Sequence, residues 1–230
     1  MQLTVDGLAV TVLRKSIRNM HLRVLPPAAD VQITAPKKLP SAAIERFVRE
    51  KRGWIERQRL KIAARPAVTN PEYCDGQTVW LWGKAVTLRL KSVPRGRKAV
   101  LQGDVLTLFV LQTDDASARE AAVLAFYREQ LKDAVETRLP VWEAKTGLYA
   151  SGVQIRNMKS RWGTCNVKTR SILLNLQLAK QPPVCLDYVL VHELTHLRHP
   201  DHSSAFWDDV FRVFPDWKQV RRQLNEKTFL

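Results

Sequence analysis

His192, Glu193 and His196 stand in the order H-E-x-x-H within VHELTHLRHPDH, residues 191–202. That stretch holds four of the five histidines in the chain, and only His21 lies elsewhere. On a helix, residues i and i+4 share a face roughly 6 Å apart, so the two imidazoles can converge on one ion. Glu193 is rotated by about 100° from His192, which sets its carboxylate beside such an ion. There it can take a proton from a water that the metal activates, which is hydrolytic chemistry, and Zn²⁺ is the ion such donors suit. Val189, Leu190, Val191, Leu194 and Leu197 leave this helix little polar surface. It should therefore be buried, where charged groups need partners.

A third ligand is required, and two histidines compete for it. His199 lies seven residues beyond His192, the same way round a helix but about 10 Å along its axis. That is far for bonds of about 2.1 Å to one ion. Pro200 also disfavours helical geometry at residue 199. A turn after His199 would let His202 swing back, so His202 is the expected ligand and His199 its competitor. Asp201, Asp208 and Asp209 are weaker candidates. The set His192, His196 and His202 has the metzincin spacing HExxHxxxxxH, with His199 where that motif has glycine. Metzincins place a methionine turn after their ligands, whereas Met1, Met20 and Met158 all precede them here. Glu226 is the one glutamate downstream and the only place for a thermolysin-type carboxylate ligand.

A second locus is SRWGTC, residues 160–165. Arg161 precedes Trp162 and an expected tight turn at Gly163, just before a strand that should run beside the histidine helix. It is a candidate catalytic residue, able to stabilise an oxyanion, or it braces the loop. Cys165 is a candidate extra ligand, though it and Cys185 read first as buried structural thiols, and Phe206 and Trp207 as core residues fixing the ligand loop.

The elements around these residues follow from hydrophobic periodicity. LTV, LAVTVL, HLRVLP and VQITAP read as strands, with turns at Asp6-Gly7 and Pro26-Pro27. SAAIERFVREKRGWIERQRLKI reads as one basic helix capped by Ser41. A loop over 64–76 leads to two hairpins, turning at Gly83-Lys84 and Gly103-Asp104 and joined by the basic loop SVPRGR. A helix over about 117–145 follows, with a kink possible at Pro140 and an end at Gly147. Strands VQIRNMK and SILLNLQL flank SRWGTC. The histidine helix starts after Pro182-Pro183 and is stopped by Pro200, and two amphipathic helices close the chain. No internal repeat is evident.

KSRWGTCN, ILLNLQL and LDYVLVHELTHLRHPDHSSAFW together resemble the YgjP-like family of metallopeptidases, related to SprT-like and WLM zinc proteases. The resemblance is tight over about residues 155–215 and looser before them. It implies zinc held by His192, His196 and His202, Glu193 as general base, and a small metallopeptidase core. The expected fold is α+β: a basic, β-rich region over 1–112, then a zincin-like catalytic domain over 113–230 that begins with the long helix.

Charge adds a partner. The chain has 37 Lys/Arg and 22 Asp/Glu, a net of +15; residues 1–110 hold 20 against 8, and residues 111–230 hold 17 against 14. A basic half suits nucleic acid or nucleotide phosphates, or simply solubility. The leading expectation is a zinc-dependent metallopeptidase acting on polypeptides. The alternatives are a metal-dependent nucleoside triphosphate pyrophosphatase and a nucleic-acid-associated protein with a structural zinc, which leaves Glu193 without a role. No apolar run reaches the roughly 18–20 residues of a membrane span, no signal peptide is evident, and three scattered cysteines argue against a disulfide framework. A cytoplasmic setting is expected.

Overall fold

The computed structural model describes residues 1–25, 28–63 and 72–226. The Pro26-Pro27 turn and residues 64–71 of the expected loop lie outside them. The fold is α+β, in two compact units, Met1–Asn70 and Pro71–Leu230.

In the first unit, β1 (Gln2–Val5), β2 (Leu8–Lys15), β3 (His21–Leu25) and β4 (Asp30–Pro36) form a sheet in the order β1-β2-β4-β3. Alternation buries Val10, Val12, Val31, Ile33 and Ala35 on one face, against Ile44, Val48 and Ile55. Those three belong to two helices, α1 (Ser41–Glu50) and α2 (Arg52–Ala63), where one was expected. Pro40, whose fixed φ suits a helix entry, takes the cap position assigned to Ser41. The helices part at Lys51, two residues before Gly53, the weakest helix former in the run.

In the second unit, β5 (Thr78–Leu81), β6 (Lys84–Ser92), β7 (Lys98–Gln102) and β8 (Val105–Val110) have the order β5-β6-β8-β7. Both sheets thus have a hairpin, a parallel central pair and a second hairpin. The repetition is nearly invisible in the letters, because alternation rather than identity specifies a strand. Only Gly7-Leu8-Ala9-Val10-Thr11 against Gly83-Lys84-Ala85-Val86-Thr87 betrays it.

α3 (Ala116–Thr146) follows, with Asp115 accepting from Ala118 N at 2.8 Å and Gly147 ending it at φ 67°. Pro140 sits inside it. Then come β9 (Gly152–Arg156), β10 (Gly163–Asn166), β11 (Ser171–Asn175), a 3-10 helix (Leu176–Lys180), α4 (Pro183–Thr195), α5 (Ser204–Val213) and α6 (Trp217–Glu226). β11 pairs with β9 in parallel and with β10 antiparallel, leaving β10 at the edge. SRWGTC was read as a loop; it contributes the start of that edge strand. SILLNLQL changes from strand to 3-10 helix at Leu176, where Asn175 caps it through Gln177 N. α4 ends at Thr195, five residues before Pro200.

The two compact units divide after Asn70; the expected domains were 1–112 and 113–230. Leu88, Leu106 and Leu108 of the second sheet share a core with Val123 and Tyr127 of α3 and with Leu174 and Leu190 near the histidines. Core burial follows apolar faces, while the charge asymmetry lies on the surface. Trp82 N and Gly83 N donate to Ala179 O and Lys180 O, tying the β5–β6 turn to the 3-10 helix. Gly83 has φ +78°, and a Cβ there would fall 2.7 Å from Pro182 Cγ, so glycine is required. Among the described residues, no helix is long and apolar enough to cross a membrane.

Candidate metal centre

α4 carries His192, Glu193 and His196 between α3, α5, α6 and β10. Its apolar flanks are buried, with Leu190, Val191 and Leu194 all at 0% exposure, which fixes the rotation that turns both imidazoles to one side. After α4 the chain turns through 196–203, and α5 starts at Ser204. This return brings His202 back: its Nε2 lies 3.0 Å from His192 Nε2. One ligand nitrogen from each of His192, His196 and His202 falls within 4.8 Å of the others. Phe206, fully buried on α5, packs its ring 5.0, 4.7 and 4.8 Å from the rings of His192, His196 and His202.

His199 is elsewhere. Its Nε2 meets Asp209 Oδ2 at 3.0 Å, and Asp209 also pairs with Arg198 and Arg212. Its backbone contributes: His199 O accepts from His196 Nδ1 at 3.0 Å. Because a carbonyl only accepts, this bond fixes the tautomer and leaves His196 Nε2 a lone pair. Of the other ligand candidates, Asp201, Asp208 and Glu226 are exposed and outside the histidine group, and Asp209 is held by its ion pairs.

These atoms fit a metal. Two neutral ring nitrogens 3.0 Å apart share at most one proton, whereas a cation between them satisfies both lone pairs. Tetrahedral coordination at about 2.1 Å spaces its donors about 3.4 Å apart, within the range the three rings span. Burial favours the neutral, ligand form of two of the rings: it pushes the His192 pKa down to about 3, helped by His196, His202 and Arg221, and lowers His196 as well.

Glu193 is 4% exposed, and burial raises its pKa to about 8, partly offset by the charge of Arg161. Its carboxylate lies against β10. A Cβ on Gly163 would fall 2.6 Å from Glu193 Oε1. The glycine was read as a turn residue; it opens a strand instead, and its missing side chain makes room for the glutamate. The buried Asn175 locks the preceding loop. Its Nδ2 donates to Arg161 O at 2.7 Å and Met158 O at 2.9 Å, and its Oδ1 accepts from Met158 N. Arg161 itself is exposed.

A family model described as the YgjP-like metallopeptidase domain matches residues 18–227. The chain belongs to this family. No curated protein matches it. Among solved structures, it is similar to the metallopeptidase zymogen of Pyrococcus abyssi abylysin, at 29% identity and TM-score 0.38, covering 41% of this chain and 94% of that one. It is also similar to the zymogen of Methanocaldococcus jannaschii jannalysin, at 18% identity and TM-score 0.37, covering 40% and 95%. As a YgjP-like metallopeptidase, the chain is a metal-dependent hydrolase.

Two contributors to the centre escaped the sequence reading. Asn175 follows LL in an ordinary strand pattern and carries no local signal. Arg221, whose guanidinium carbon lies 5.0 Å from the centre of the Trp207 ring, is one of several basic residues on α6. Only the return of α6 toward Trp207 distinguishes it.

Proposed function

We propose that this YgjP-like protein is a zinc peptidase. His192, His196 and His202 would hold the ion, and Glu193 would act as general base. The observation that carries the reading is the convergence of three imidazoles with a buried carboxylate one residue from the first of them. An all-imidazole donor set suits zinc better than the hard cations, which favour oxygen ligands. When bound, zinc supplies a lowered water pKa, near about 7, and a polarised carbonyl.

The protein's own groups do the rest. His196 is oriented by His199 O, and Phe206 keeps the three rings in register. Glu193, held against Gly163, accepts the proton of the attacking water and passes it to the leaving amine. Arg161, on a loop fastened by Asn175, offers positive charge beside Glu193 for the developing oxyanion. The substrate is a polypeptide. The basic residues of 1–63 provide for a nucleic-acid partner, and sparse cysteine usage fits a cytoplasmic setting.

The test is Glu193→Gln in metal-loaded protein, assayed on unfolded polypeptides with zinc measured by elemental analysis. The expected result is full zinc content with turnover lowered by about 10²-fold or more. Unchanged turnover overturns the general-base role. The pyrophosphatase reading is favoured by one observation, the cationic Arg161 beside the carboxylate; pyrophosphate release from nucleoside triphosphates without peptide cleavage would establish it instead.

A further inference from the structure

Arg221 on α6 is exposed, and its guanidinium carbon lies 5.0 Å from the Trp207 ring centre and 6.0 Å from that of Trp217. The two indoles stack at 4.1 Å with planes 14° apart. Trp207 is also stacked on His202, at 5.5 Å and 22°, and its ring centre is 5.8 Å from that of His192. A single indole therefore links the guanidinium to two of the imidazoles, those of His202 and His192. Nearby arginines are spent on structure: Arg198 and Arg212 both pair with Asp209. Arg221 forms no ion pair among the described residues. It borders a recess of about 430 Å³ lined by Trp217, Lys218, Arg222, Asn225 and Glu226, three cations with its own against one acid.

A guanidinium held against indole faces loses little freedom on binding, and its fork of donors matches a carboxylate in two parallel hydrogen bonds. We propose that Arg221 is the anion-recognition residue of this centre, and that the peptide taken there presents a carboxylate to it. The carboxylate comes from an acidic side chain or from the peptide's C terminus. This rests on the peptidase reading.

The test measures binding to the zinc-loaded Glu193→Gln protein by tryptophan emission, since Trp207 and Trp217 report on the site. The probes are a glutamate-containing peptide and its glutamine counterpart, each with a free and an amidated C terminus, and inorganic triphosphate. A carboxylate should tighten binding about tenfold or more, the scale of a charge-assisted hydrogen bond. Whichever pair shows the difference identifies the source of the carboxylate. Adding Arg221→Ala should erase the difference while the neutral peptide's affinity holds; Arg221→Lys should restore only part of it, having charge without the fork.

Equal affinity for charged and neutral peptides overturns the proposal, as does an Arg221→Ala effect that weakens both alike. Arg221-dependent binding of triphosphate with no peptide binding also overturns it, as does binding of no probe. Carboxylate discrimination in a protein whose Glu193 form cleaves no peptide would sink the peptidase reading and leave the subsite standing. Cleavage without discrimination would do the reverse.

Discussion

His199 and His202 are chemically identical and three residues apart, yet they play different parts. His202 Nε2 faces His192, whereas the His199 ring is bound to Asp209 and only its carbonyl serves the centre. His202→Ala should therefore lower zinc content sharply, and His199→Ala should keep zinc because the backbone carbonyl remains; elemental analysis of the two separates them. Loss of zinc in the second alone would reverse the assignment. Gly163→Ala is a sharper probe. The added methyl meets Glu193 Oε1 at 2.6 Å, so the carboxylate must move. Since misplacement by about 1 Å can cost about 10²-fold in rate, kcat should fall steeply while zinc content and folding cooperativity stay near wild type.

At the scale of elements, the centre depends on α5 being pinned to the turn after α4. Phe206 packs on all three imidazoles from inside that contact. Phe206→Ala should cost about 3–5 kcal/mol of stability in denaturant unfolding, through lost burial and a cavity, and should weaken zinc retention. Asp209 fastens the same pair of elements from outside. Burial pulls its pKa up, but hydrogen bonds from Arg198 and His199 and the charge of Arg212 outweigh that and hold it below the ordinary carboxylate range. A carboxylate depressed in the folded state stabilises fully above its unfolded pKa, about 3.9. That contribution is lost as pH falls through the lower folded value. Acid unfolding of Asp209→Asn should be correspondingly flatter below about pH 4 than that of the parent. The sequence made α4, α5 and α6 legible, because Val189, Leu190, Phe206, Val210 and Val220 recur at helical spacing. It concealed β10, four residues at a sheet edge whose identity depends on pairing with β11 rather than on any pattern of their own.

Across the whole molecule, charge and core divide the chain differently. Residues 1–70 carry 14 Lys/Arg against 5 Asp/Glu. Arg46, Arg49 and Arg52 are ion-paired, while Lys15, Arg18, Lys37, Lys38, Arg57 and Arg59 are exposed and form no ion pair among the described residues. A nucleic-acid partner for this unit predicts DNA binding that weakens by about tenfold or more between about 50 and 200 mM salt. Arg57→Glu with Arg59→Glu should shallow that dependence in a filter or anisotropy assay, and salt-independent binding would argue against the partner. What the sequence determined alone was local: two histidines and a glutamate on a buried helix, because i and i+4 share a face whatever surrounds them. His202 was already the expected third ligand; its 3.0 Å approach to His192, the room Gly163 leaves for Glu193, the Asn175 clamp and the indole bridge from Arg221 to His202 appear only in tertiary structure. Each joins residues from different elements, and no spacing along the chain encodes the path by which two elements meet.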